Sequence, residues 1–267
     1  MTRFCIATMA LGLMAGPALA VHNDVLIYST GTKLQSGGID LGDDGEPGGA
    51  GADADSFGSP TNVFEGELAD VGGGVFEGDE PGINAVSQAN HIAFATGGFA
   101  LPGSEDLNFT LKSFEIAGDS RNLWYWDGTG PVSFGAPGAG SDLSVVNVIP
   151  IATVDGSATD QPGLFAWETT AANGSLHQHN LFQLAPGALA GYYLVGIEFS
   201  IDGLDPSDLV YIVFDAGIED EDLHEEALDF VAALNNAPTQ SSIPEPSAVM
   251  LLGFAAIAAG RRRMARA

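Results

Sequence analysis

Hydrophobic residues alternate with polar ones through Leu107, Phe109 and Leu111, whose neighbours are Asn108, Thr110 and Lys112. A period of two sends one row of side chains into a core and the other into water, which predicts a strand. Residues 191–201 carry the same signal, with Tyr193, Val195, Ile197, Phe199 and Ile201 on one face. Residues 209–214 are apolar throughout and predict a strand inside a sheet. Shorter β-favouring runs at 25–28, 123–126, 132–134, 145–149 and 164–167 lie between turns rich in Gly and Pro. Val63 with Phe64, and Val75 with Phe76, form short apolar pairs around 70–74 that read as edge strands or loop anchors. The aromatic run Leu123-Trp124-Tyr125-Trp126 reads as core or core rim, with a sugar-binding platform as the alternative.

Residues 176–184 and 191–201 predict a hairpin. Symmetric closure about 185–190 sets His177 opposite Glu198 and His179 opposite Gly196. One helical stripe follows, Leu223, Ala227, Val231 and Leu234, with the acids Glu219, Asp220, Glu221 and Asp222 at its favourable N-terminal end. Residues 35–60 have little to bury and predict a surface loop. The expected fold is a mainly antiparallel β-sandwich of about eight to ten strands with one C-terminal helix.

Both ends depart from this pattern. Residues 1–20 join Arg3, the apolar stretch 4–16 and a small-x-small close at Ala18 and Ala20, which reads as a signal peptide cleaved before Val21. At the other end, Pro244, Glu245 and Pro246 precede an apolar run at 248–260 and then Arg261, Arg262 and Arg263. As a helix, residues 247–260 span roughly 21 Å at 1.5 Å per residue, short of a hydrocarbon core of about 30 Å. Such a segment suits a transient signal better than a permanent anchor. The expected division is a signal peptide at 1–20, an ectodomain at 21–236, a short linker at 237–243 and a terminal signal at 244–267.

Those terminal residues resemble the PEP-CTERM sorting signal of Gram-negative bacteria. The resemblance implies export through the Sec translocon and brief tethering in the inner membrane. Processing at the Pro-Glu-Pro motif by the membrane protease-transpeptidase exosortase would follow. It also implies a destination at the cell surface or in an exopolysaccharide matrix, with exopolysaccharide as an implied partner.

Composition changes once the two signals are set aside. Five of the eight basic residues lie in them, leaving Lys33, Lys112 and Arg121 against every acid except Glu245 among the 35. Residues 21–243 therefore carry a formal charge of −31. That charge excludes nucleic acid as a partner and disfavours an anionic membrane surface. It fits either salt adaptation or divalent-ion binding. The one cysteine, Cys5, lies in the signal, so the exported domain is held together without disulfides.

The sequence has no Gly-x-Ser-x-Gly elbow, P-loop, His-Glu-x-x-His or Cys-based zinc spacing, and no enzymatic role is expected. With so many acids, no glycosidase pair stands out. The acidic stretch from Asp40 fails the EF-hand spacing, with Gly42 and Gly51 where ligands are needed; a looser calcium site stays open. His177-Gln178-His179 has metal-ligand character, because i and i+2 on a strand point the same way. His22 or Glu198 are candidates to complete a zinc-type set. The competing reading is two polar residues on a solvated face. His91 and His224 have weaker claims, and His224 reads as a solvent-exposed residue of the last helix.

The ectodomain is similar to a loose group of exported bacterial proteins in Gly174-Ser175-Leu176-His177-Gln178-His179, in Gly191-Tyr192-Tyr193-Leu194 with Glu198, and in 207–214. Some members are linked to zinc-responsive regulation, which adds a little weight to the metal reading. Two functions follow from different classes: a structural or interaction module at the surface, and a metal-binding protein.

Overall fold

The computed structural model describes residues 24–39 and 61–236. The expected signal peptide, the acidic stretch 40–60, His22, the expected linker and the terminal signal at 244–267 lie outside the described residues. Among the described residues no helix is long and apolar enough to cross a membrane.

The chain opens with β1 (Asp24–Ser29), β2 (Leu34–Ile39), β3 (Val63–Gly72), β4 (Val75–Gly78), β5 (Ile83–Ala85) and the short helix α1 (Gln88–Ala93). Its middle holds β6 (Asp106–Lys112), β7 (Phe114–Ile116), β8 (Asp119–Arg121), β9 (Trp124–Trp126), β10 (Leu143–Asn147) and β11 (Ile149–Val154). Then come β12 (Gln161–Pro162), β13 (Glu168–Thr169), β14 (Leu176–Gln178), β15 (Leu181–Leu184), β16 (Gly191–Ser200), β17 (Val210–Ala216) and α2 (Glu221–Asn236). The fold is the expected β-rich sandwich with a C-terminal helix. Its strands are shorter and more numerous than the sequence pattern suggests.

The large sheet runs β11-β10-β15-β4-β3-β17-β16-β6-β12, and the small one β14-β5-β1-β2. Most pairs are antiparallel; β17 with β3 and β1 with β5 are parallel. The central pair β16 and β17 is apolar on both faces, and both are covered. Tyr193, Val195, Ile197, Phe199 and Phe214 enter the main core between the sheets. Tyr192, Leu194 and Val213 meet Ala227 and Val231 of α2 on the other side. The small sheet does the same at lesser scale. Val25 and Ile27 join the main core, while Leu26 and Tyr28 pack with Ile39 and Val86.

Several expectations need correction. The edge strand expected at 63–64 is the ten-residue β3, inside the sheet between β17 and β4. Residues 35–39 belong to a buried strand, not a loop; Gly37 and Gly38 hide it because they pair with Leu26 and Val25 while adding no hydrophobic signal. The hairpin 176–184 with 191–201 does not form. β14 pairs with β5, β15 with β10 and β4, and β16 with β17, β6 and β9. Trp124 and Trp126 are buried at 1% and 3% exposure, so the core reading holds over the sugar platform.

Candidate functional site

The register of the small sheet builds one cluster. Leu26 of β1 lies beside Asn84 of β5, and Asn84 lies beside His177 of β14. Partners across a ladder share a face, and residues two apart on one strand do too. Asp24, Asn84 and His177 therefore stand on the face turned away from the main core. Their neighbours Val25, Ile83 and Leu176 face inward.

Asp24 is fixed at both oxygens. Its Oδ1 accepts from the Gly82 amide at 2.7 Å, and its Oδ2 accepts from Asn84 Nδ2 at 2.7 Å. His179, just past β14, folds back over Gly82. Its Nδ1 donates to the Asp79 carbonyl at 3.1 Å and lies 3.5 Å from Glu80 Oε1. A carbonyl oxygen only accepts, so Nδ1 bears the proton and Nε2 of the neutral ring keeps its lone pair. That Nε2 sits 2.8 Å from His177 Nε2 and 3.8 Å from Asp24 Oδ2. Ligand atoms of Asp24, His177 and His179 all fall within 4.8 Å of one another. Asp24 is nearly buried, His179 is half-buried and His177 is exposed.

Glu80 closes the rim. Burial, and then the Asp24 carboxylate, push its carboxyl up to about 7, with His179 and the Gly82 amide partly offsetting them. Since the folded-state value is raised, the favourable state is the neutral acid. Stability from Glu80 is full below about pH 4.5 and is lost as the pH climbs to about 7. The side chain keeps 35% of its surface exposed, so solvent screening reduces the effect to about 1 kcal/mol. Metal-free Glu80→Gln should therefore gain about 1 kcal/mol over the parent at pH 8 and nearly nothing at pH 4. Urea unfolding at the two pH values checks this.

The structure redistributes the sequence candidates. His177 and His179 come together. Glu198 does not join them: it lies on β16 beside Thr110 of β6, 3.7 Å from Lys112, which also binds Asp160 at 2.6 Å. The acid beside the histidines is Asp24, which sequence reasoning missed. Its only signal was its place at the head of an apolar strand. His22 lies outside the described residues. His224 is buried, not exposed, and its Nε2 donates to the Val213 carbonyl at 2.9 Å. His91 is buried behind β1, with Nδ1 2.7 Å from Thr96 Oγ1, and burial lowers its basicity. It stands apart from the cluster.

At the C-terminal end, residues 242–263 match the family description "PEP-CTERM protein-sorting motif". The chain carries a PEP-CTERM sorting motif. It is thus an exported protein of the exosortase-processed kind, anchored transiently in the membrane before processing. No curated protein matches the chain. Among solved structures it is similar to a family 123 glycoside hydrolase from Clostridium perfringens, studied for glycolipid glycan hydrolysis. The identity is 16% and the TM-score 0.21, over 73% of this chain and 27% of that one. The chain spans about a quarter of that enzyme.

Proposed function

We propose that this PEP-CTERM protein is a non-enzymatic structural or interaction module, delivered to the cell surface or the extracellular matrix once exosortase has removed its tail. The observation that carries the reading is the sorting motif and its position: five residues, 237–241, separate the end of α2 from the matched motif. The folded domain thus stands close to the processing enzyme before release. Export by the Sec translocon and a final association with exopolysaccharide belong to the same proposal. The burial of Trp124 and Trp126 supports a packed module over a catalytic sugar platform. Residues 21–243, with a charge of −31, suit a setting where cations screen or bridge the surface.

Mass spectrometry of the protein's C-terminus, taken from cells that make it, tests this. The surface or released form should end upstream of Arg261. A mature, membrane-bound form that retains 261–267 would refute exosortase processing. A second reading, metal binding, is favoured by the cluster at Asp24, His177 and His179.

A further inference from the structure

We propose that Asp24, His177 and His179 form a binding site for one zinc-like divalent transition ion, held on the outer face of the small sheet. This goes beyond delivery to the surface and does not depend on it.

The donor set comes first. Two imidazole nitrogens and one carboxylate oxygen suit zinc and its neighbours, whereas calcium and magnesium prefer oxygen alone. The atoms are already close to ligand spacing. Metal bonds of roughly 2.0–2.2 Å at tetrahedral angles put donor atoms about 3.3–3.6 Å apart. The two Nε2 atoms, now 2.8 Å apart, would open slightly, and the 3.8 Å from His179 Nε2 to Asp24 Oδ2 would close slightly. Each of these separations is less than about 1 Å from the tetrahedral spacing, and the His177 and Asp24 donors lie within 4.8 Å of each other.

The surroundings supply the second argument. A ligating histidine needs its other ring nitrogen held by an acceptor, and a ligating carboxylate needs its own donors. His179 Nδ1 has the Asp79 carbonyl, with Glu80 beside it, and Asp24 has the Gly82 amide and Asn84. These groups hold both side chains before any ion arrives. With the His179 proton on Nδ1, His177 Nε2 donates to His179 Nε2 in the ion-free site. Binding must therefore move the His177 proton to its Nδ1, which faces no such constraint because the ring is exposed.

The third argument is room. A methyl group on Gly82 would lie 2.4 Å from His179 Cε1 and 2.5 Å from its Nε2. The imidazole occupies the space that a glycine leaves free. Three protein ligands, one of them exposed, leave a position open to water or to a further donor.

Cobalt(II) titration of the exported protein, stripped with chelator and dialysed, provides the test. One cobalt per chain, with visible ligand-field bands that zinc abolishes and calcium does not, is the expected result. His177→Ala, His179→Ala and Asp24→Asn should each weaken zinc by ~100-fold or more. His177 is exposed, so His177→Ala keeps the fold, and an unchanged thermal melt of its metal-free form verifies that. The proposal is overturned if the parent takes up no cobalt, if calcium competes as well as zinc does, or if folded His177→Ala binds zinc as tightly as the parent.

Discussion

Trp167→Ala is expected to cost the folded domain about 3–5 kcal/mol, the range for removing a fully enclosed aromatic side chain. The indole is 0% exposed and lies edge-on to Phe109 at 5.1 Å and to Phe199 at 5.9 Å, with Phe182 at 6.0 Å. No neighbour can refill that volume without leaving its own ladder position, so most of the cavity persists. The residue also ties the histidine strand to the core. Trp167 Nε1 donates to the Gln178 carbonyl at 3.3 Å, and Asn180 Nδ2 donates to the Trp167 carbonyl at 3.4 Å. Its own amide meets Leu107 of β6 at 2.7 Å. A loss of that size should lower the melting temperature by roughly 6–20 °C in a domain of this length. Trp167→Phe separates the contributions: it keeps most of the apolar contact, drops the bond to Gln178 and should cost roughly 1–2 kcal/mol. Urea titrations of the three proteins check the order. Equal stability of Trp167→Ala and the parent would mean that the sheets are not packed through this ring.

The sequence disclosed the regular part of this fold because that part is governed by local periodicity. Alternation at Leu107, Phe109 and Leu111 predicted β6, and the five apolar positions from Tyr193 to Ile201 predicted β16 and the face it turns to the core. The stripe on α2 was legible too, and it held more than was taken from it. His224 stands three residues before Ala227 and seven before Val231, on the buried side of the same stripe. The acids around it suggested water, but helical spacing outweighs the character of sequence neighbours that point elsewhere.

The site was legible only in part. His177 and His179 announced themselves by their spacing, but their partner could not be found by extending a hairpin. β14 is three residues long and pairs with a three-residue β5, so no long apolar face fixes its register. The chain leaves the small sheet after Gln178 and enters the large one at Leu181. A symmetric hairpin assumes that contacts form between neighbours in sequence. Here Asp24 meets residues more than 150 positions away, through a parallel pairing that local patterning does not encode. The same non-locality placed Glu198 with Lys112.

Gly82→Ala should leave the fold nearly intact and still disable the cluster. The backbone at Gly82 has no left-handed torsion, so an added methyl brings no main-chain strain. What it meets is the His179 ring, at 2.4 Å from Cε1 and 2.5 Å from Nε2, far closer than nonbonded atoms approach. A half-buried side chain yields more readily than a strand, so the imidazole should rotate outward and lose the Asp79 carbonyl. The Gly82 amide keeps its bond to Asp24, because the main chain stays in place. With one ligand displaced and its orienting bond broken, zinc affinity should fall by ~10–100-fold, while the metal-free melt moves by less than about 1 kcal/mol in stability. A double-mutant cycle decides whether the effect runs through the ring. In a His179→Ala background the added methyl meets no imidazole, so Gly82→Ala should there cost nothing further. Additive losses in that cycle would mean that Gly82 acts on the site through the main chain and not through the space it leaves for His179.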